Sequence, residues 1–380
     1  MSPGPVDQAS RSLGPDLARG VMLLAIALAN SHYFLEGPAY VGGFPQDGGA
    51  LDRAVAWLLA TFVDGRAFPM FGLLFGYGVA QIVRRQGDAP PKAVRRLLWR
   101  RSAFLLVVGF LHAMLLFVGD ILTAYGVLLL FGAWTVRWRD HWLLAVAALM
   151  FALTAMPGEG SLAAATEGPD ATTMLPTDLG AMLVDRAFTS GYVGLLGPIG
   201  FACPFLLGLW AGRRRLLEDP PPEQAARRCR LLAVTAGLGI AVAAVGAQPV
   251  ALVQLGLVDL PGDGDALGPL HDAAGVLGGI GYAALLSLVA LRVGARWGRL
   301  VSAVEAVGQR SMTCYLAQSV MWTVAFTPAL LGLSDDVSVA GCALLAVATW
   351  LLTVALADWL RRTGRRGPFE VAARRVTYWR

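Results

Sequence analysis

The sequence predicts an all-α integral membrane protein of about ten transmembrane helices, with the N- and C-termini cytoplasmic. Three observations carry that reading. The 380 residues are 56% hydrophobic and only 15% charged, against about 25% charged in an average soluble domain, and the mean hydropathy is +0.59. The apolar mass falls into ten stretches separated by short polar segments. The basic residues gather in alternate segments. A chain this long could make two soluble domains, but two ordinary cores could not hide this much Leu, Ala and Val from water.

A span needs roughly 20 mostly apolar residues to cross about 30 Å of hydrocarbon. The ten candidates centre on 17–35, 66–83, 102–119, 120–136, 141–157, 190–212, 231–249, 271–291, 311–332 and 338–360. The first lacks a small-residue cleavage site and is followed by further spans, so it reads as retained rather than as a signal peptide. With the N-terminus inside, 28 of the 31 Lys and Arg lie in inner segments, and only Arg53, Arg66 and Arg186 lie outside. That is the positive-inside pattern at every loop. The same bias accounts for the net charge of +5 without nucleic acid.

Between the spans, 36–65 and 158–189 are long outer segments rich in Gly, Pro, Asp and Thr, either lids over an outward cavity or linkers. Leu51–Ala60 reads as a short amphipathic helix at the outer interface. Residues 1–14 read as disordered, 15–362 as one transmembrane domain and 363–380 as a basic cytoplasmic tail. No internal repeat of the kind common in secondary transporters stands out. Cys203, Cys229, Cys314 and Cys342 lie in or beside apolar segments without metal-ligand spacing, and no metal is expected.

Polar residues inside a bilayer are costly and face a cavity or a partner. Asp16 and Arg19 stand three apart, either a helix start with its interfacial anchor or an ion pair on one face. Asn30 and His32 follow on the same span. Asp64-Gly-Arg66 leads into a helix whose Gly72, Gly76 and Gly78 suit close helix packing; no strand precedes it, so a nucleotide loop is excluded. Arg66 either holds an anionic group or pairs with Asp64. His112 lies eleven residues beyond Arg101, about 16 Å up a helix, near the midplane or slightly past it. Asp120, in the tight turn that follows, is placed to fix its tautomer, and Tyr125 comes soon after. Histidine titrates near neutrality and serves as acid, base or nucleophile; the alternative is a neutral His bonded between helices. Ser311, Tyr315, Gln318 and Ser319 form a polar stripe that lines a cavity or glues helices together. His141 and His271 sit at span boundaries and read as interfacial.

The same residues carry a resemblance. Asp16-Leu-Ala-Arg19-Gly20 with Asn30, Phe75-Gly76-Tyr-Gly78, Gly109-Phe-Leu-His112 with Gly119-Asp120-Ile-Leu-Thr-Ala-Tyr125-Gly126, Val307-Gly308-Gln-Arg310-Ser-Met-Thr-Cys-Tyr315-Leu-Ala-Gln318-Ser319 and Arg366-Gly-Pro-Phe-Glu370 resemble the YeiB family of bacterial membrane proteins, domain of unknown function 418. The family is similar to multi-pass acyltransferases that move an acyl group from cytoplasmic acyl-CoA to a sugar or other acceptor across the membrane. The resemblance thus implies a bacterial inner-membrane protein with acyl-CoA as donor, a sugar or lipid-linked acceptor and the lipid bilayer as its medium. In this reading His112 is the reactive histidine, with His32 in reserve because it follows Asn30 more closely than the lysosomal branch of those enzymes shows. Asp120 orients His112, and Asn30 or Tyr315 stabilises the oxyanion. Asp16, Arg19, Arg66, Arg100, Arg101, Tyr125, Arg310 and Gln318 are the candidate binding residues. The competing readings are a transporter or flippase with a His112–Asp120 proton relay, and a non-catalytic scaffold or sensor.

Overall fold

The computed structural model describes residues 12–158, 161–168, 170, 172–259, 266–293 and 298–378. The expected disorder of 1–14 falls mostly outside them, and Leu13 and Gly14 already belong to the first helix. The fold is helical: α1 Leu13–Ser31, α2 Ala50–Phe62, α3 Ala67–Arg85, α4 Pro91–Leu115, α5 Leu122–Thr135, α6 Asp140–Thr154, α7 Leu179–Arg213, α8 Ala225–Gln254, α9 Leu267–Val293, α10 Gly298–Gln309, α11 Ser311–Phe326, α12 Val339–Arg362 and α13 Pro368–Thr377. The one sheet among the described residues is a two-stranded antiparallel ribbon pairing Tyr40 with Pro45 and Val41 with Phe44.

Helix boundaries follow local chemistry. Pro91 and Pro368 stand in the first turn of α4 and α13, where a missing N–H costs nothing. Asp178 and Ser338 cap α7 and α12 by accepting the backbone N–H of Ala181 and Gly341. Gly65, at φ +71°, makes the turn that separates α2 from α3, a backbone shape open chiefly to glycine.

Among the described residues, seven helical segments are long and apolar enough to cross a membrane, and each coincides with a predicted span. Three further predicted spans correspond to the shorter helices α5, α6 and α11, of 14, 15 and 16 residues. The outward faces support a lipid surround. Phe188, Val245, Leu195 and Leu344 are each more than 70% exposed, a density of bare apolar side chains that water does not tolerate. The protein is a multi-pass helical membrane protein.

One loop differs from expectation. The second half of 158–189 is helical, because Asp178 caps an α7 that runs unbroken through Pro198 and Pro204 to Arg213. The amphipathic stretch at Leu51–Ala60 is helical as expected and lies within α2, which packs on α8 and α12.

The core is built from close backbone approaches. Gly72 and Gly76 of α3 lie against α7, and Gly308 of α10 touches the Asp16 carbonyl of α1 so closely that no Cβ fits. Small residues permit this where apolar side chains alone give no preference between lipid and protein. Within the expected tail, Pro368–Thr377 forms α13, which packs on α4 and α11.

Candidate functional site

His112 lies in the last turn of α4, and Asp120 lies in the six-residue turn before α5. Nδ1 of His112 is 2.7 Å from Oδ1 of Asp120, and each side chain is 1% exposed. The second carboxylate oxygen accepts the backbone N–H of Thr123 at 2.8 Å and its hydroxyl at 3.1 Å. The carboxylate thus sits on the first turn of α5, where orphan N–H groups and the helix dipole favour a negative charge. An acceptor-only carboxylate requires the proton of a neutral imidazole to sit on Nδ1, leaving Nε2 as the basic nitrogen. Nε2 is buried and has no hydrogen-bond partner among the described residues. The Tyr315 ring of α11 stands 5.1 Å from the imidazole, centre to centre, and its buried hydroxyl lies against Asp120 and the Ile121 backbone.

Tyr315 also lines a cavity of about 210 Å³ between α1, α3, α4, α5, α10, α11 and α13. Phe71, Phe75, Leu122, Tyr125 and Tyr315 form its apolar end. Tyr125 is fixed there by its bond to the Phe68 carbonyl and by rings 4.8–5.0 Å away on Phe71, Phe75 and Phe201. Arg19, Arg85, Arg101, Arg310, Arg366 and Arg374 line the rest, with Glu370 the one carboxylate among the lining residues. All six arginines lie at helix ends or segments that the charge pattern assigns to the inner face. Arginine on this scale recognises phosphate and carboxylate groups bidentately.

The structure sorts the predicted residues. Asp16 and Arg19 form the ion pair, at 2.7 Å, and Arg19 also donates to the Leu74 carbonyl at 3.3 Å. Gly78 leaves room beside that guanidinium. Arg19, Arg101, Tyr125, Arg310 and Tyr315 converge on the cavity, while Arg100 is half-buried outside it. Arg310 is buried and donates to the Ala306 and Arg365 carbonyls. Gln318 belongs to the packing: its amide donates to the Leu23 carbonyl at 3.2 Å.

Others are not brought to the histidine. Asn30 is half-buried and is not among the residues lining the cavity. His32 is buried and stacked on Phe44 of the two-stranded ribbon, 3.8 Å between centres. Arg66 bonds the Asp64 backbone carbonyl and interacts with the Asp64 carboxylate through charge rather than a hydrogen bond. It is fully buried, also donating to the Ala243 carbonyl and lying 2.6 Å from Nε2 of His271. His271, expected at an interface, is 1% exposed because it closes this network and reaches the Ala60 carbonyl.

Sequence reasoning did not single out Arg85, Arg366, Glu370 or Arg374 as site residues. The Gly-Pro-x-Glu start of α13 was the available signal, since Pro at N1 and an acid in the first turn mark a helix.

Comparison with known proteins places this architecture. Residues 211–380 match the family model described as protein of unknown function DUF418. The chain is 24% identical over 399 residues to the uncharacterized protein YxaH of Bacillus subtilis, covering 96% of this chain and 93% of that protein. It is 36% identical over 121 residues to the uncharacterized protein YeiB of Escherichia coli, 30% of this chain and 29% of that one. The C-terminal part of the chain is thus similar to the DUF418 family. The DUF418 match takes in α10, α11 and α13, the elements that carry Arg310, Tyr315 and Glu370. The likeness to YxaH extends over nearly the whole chain, so it reaches the α4–α5 hairpin as well.

Proposed function

We propose that this protein is a transmembrane acyltransferase of the bacterial inner membrane, taking an acyl group from cytoplasmic acyl-CoA and passing it to an acceptor at the outer face. In this reading all ten predicted spans cross and both termini are cytoplasmic. One observation carries it: an arginine-lined cavity has Tyr315 in its wall, and the ring of the Asp120-bonded His112 stands 5.1 Å from Tyr315.

The donor's phosphates lie among Arg19, Arg85, Arg101 and Arg310, and the pantetheine arm runs along Phe71 and Phe75. The thioester carbonyl then reaches Tyr315, whose hydroxyl donates to the developing oxyanion. Nε2 of His112 takes the proton from the acceptor hydroxyl or amine as its oxygen or nitrogen bonds to the acyl carbon. The C–S bond breaks, and the imidazolium returns that proton to the leaving thiolate. Asp120 accepts the Nδ1 proton throughout, holding the tautomer and stabilising the imidazolium.

The test is binding of acetyl-CoA and longer acyl-CoAs to the purified protein in detergent, with Arg19→Ala beside the wild type. Saturable binding that weakens about tenfold or more in Arg19→Ala is the expected result. A well-folded protein that binds no acyl-CoA overturns the reading. Solute flux into proteoliposomes without acyl-CoA would replace it by transport.

A further inference from the structure

The tail helix makes part of the cavity wall through Arg366, Gly367, Glu370, Ala373, Arg374 and Tyr378. What holds it there is unusually specific. Oε1 of Glu370 accepts the backbone N–H groups of Met312 at 2.9 Å and Thr313 at 3.1 Å, and Oε2 accepts the Thr313 hydroxyl at 2.6 Å. The carboxylate therefore caps the first turn of α11 from a different helix. A Cβ on Gly367 would collide with Oε2 of Glu370 and with the Thr313 hydroxyl, so glycine is what lets the carboxylate seat.

Beyond this seat, the Phe369 N–H reaches the Thr313 hydroxyl at 3.4 Å, Arg310 donates to the Arg365 carbonyl at 2.7 Å, and α13 packs on α4 and α11. Of its ten residues only Ala373 and Thr377 are buried. It is joined to α12 by Thr363–Gly367, in which Gly364 adopts φ +68° with no neighbour within 4 Å of its Cβ position. That is the make-up of a hinge. One turn along α11 from the capped N–H groups, Tyr315 is a wall residue of the same cavity, 98% buried, with its hydroxyl against Asp120 and the Ile121 backbone.

We propose that α13 is a latch: Glu370 holds it shut on the N-terminus of α11, and an anionic ligand entering the cavity displaces Glu370 from the Met312 and Thr313 N–H groups. The claim rests on reading the cavity as the donor site, and it names phosphate as the chemistry that competes. A helix N-terminus flanked by arginine receives phosphate as readily as carboxylate. Two anions cannot share it, so ligand binding and the closed latch exclude one another. The latch keeps the basic cavity covered until a phosphate-bearing donor arrives.

Labelling of a cysteine at Ala373, 4% exposed in the closed state, reports opening. The experiment uses the full-length protein with Ala373→Cys, in which half-buried Cys229 is replaced by serine, and a polar maleimide. Without any ligand, Glu370→Gln labels at least about tenfold faster than its parent. Gly367→Ala, which keeps the charge but blocks the seat, does the same. Inorganic pyrophosphate speeds labelling of the parent, leaves Glu370→Gln unchanged and binds that variant more tightly. Equal labelling of all three proteins without ligand overturns the latch, whatever acyl-CoA does. Labelling of the parent that pyrophosphate leaves unchanged or slows overturns the competition. A failure of acyl-CoA to bind while both pyrophosphate results hold removes the donor reading and leaves the latch standing.

Discussion

Nδ1 of His112 and Oδ1 of Asp120 meet at 2.7 Å across the α4–α5 turn, with both side chains 1% exposed. A buried pair this close is held by what surrounds it, and the Thr123 backbone and hydroxyl occupy the other carboxylate oxygen. Breaking one partner of a buried pair costs about 3–5 kcal/mol. His112 and Asp120 therefore matter for stability as well as for chemistry, and their variants must be compared with that in view.

In acyl transfer, His112→Ala should lower kcat by about 10²–10⁴ with donor affinity nearly unchanged, because His112 is not among the residues that line the cavity. Asp120→Asn should lower kcat less and shift its pH profile, since an amide can present its N–H to Nδ1 and favour the other tautomer. Single-turnover rates with a labelled acyl group, beside equilibrium binding, separate the two effects. Full transfer by His112→Ala would end the assignment.

Tyr315→Phe keeps the ring that floors the cavity and removes only the hydroxyl. Its kcat should fall by about 10²–10³, the usual loss of one oxyanion donor, with KM within about threefold. Steady-state kinetics at saturating acceptor gives both numbers. A change confined to KM would make the tyrosine a wall and nothing more.

Gly109 is where α4 meets the start of α5, and a Cβ there would lie 2.6 Å from Oδ2 of Asp120 and closer still to the Thr123 backbone N–H. Gly109→Ala should destabilise by about 1–3 kcal/mol, the usual cost of overpacking. It should also depress activity out of proportion to that, because the displaced group is the carboxylate of the pair. Thermal melts together with kcat test it; a variant as stable and active as its parent would show the turn to be compliant.

Glu218, between α7 and α8, receives bonds from Arg84, Tyr77 at 3.1 Å and Gln81 at 3.3 Å. Burial alone would raise its pKa, but these partners outweigh it and hold the carboxyl below its ordinary 4.5. A depressed carboxyl stabilises the fold fully above about pH 4.5, and that share is lost as the pH falls through the folded value. Melts should show an acid-side loss below pH 4.5 that is smaller in Glu218→Gln. Identical acid limbs in the two proteins would remove the lock.

The orientation has its own check. Asp47 and Asp88 are exposed and lie on opposite sides of the predicted topology. A cysteine at Asp47 should react with an impermeant reagent in intact spheroplasts, and one at Asp88 only after lysis. The reverse pattern would invert the protein.

Much of this was legible from residue type and spacing. Apolar run length located the long helices, and three-residue spacing placed Asp16 beside Arg19. A histidine in an apolar helix with an acid just past its end announced the α4–α5 pair. Partner choice across helices was not legible. Nothing local to Arg66 says that His271 and two carbonyls from other segments will enclose it, and the polar stripe of α11 could not declare that Tyr315 faces a cavity while Gln318 binds α1. The arginines of the tail were missed as site residues because the positive-inside bias already explains them.

Finally, α5 is short. Fourteen residues rise about 21 Å, some 9 Å less than the roughly 30 Å of hydrocarbon a span must cross. If its inner end lies level with its neighbours, Asp120 and His112 sit at the bottom of a dimple in the outer leaflet, where lipid must thin or be replaced by protein. The barrier is lowest where the candidate chemistry lies, so an acceptor sugar would have to sink only part-way and an acyl carrier to rise only part-way.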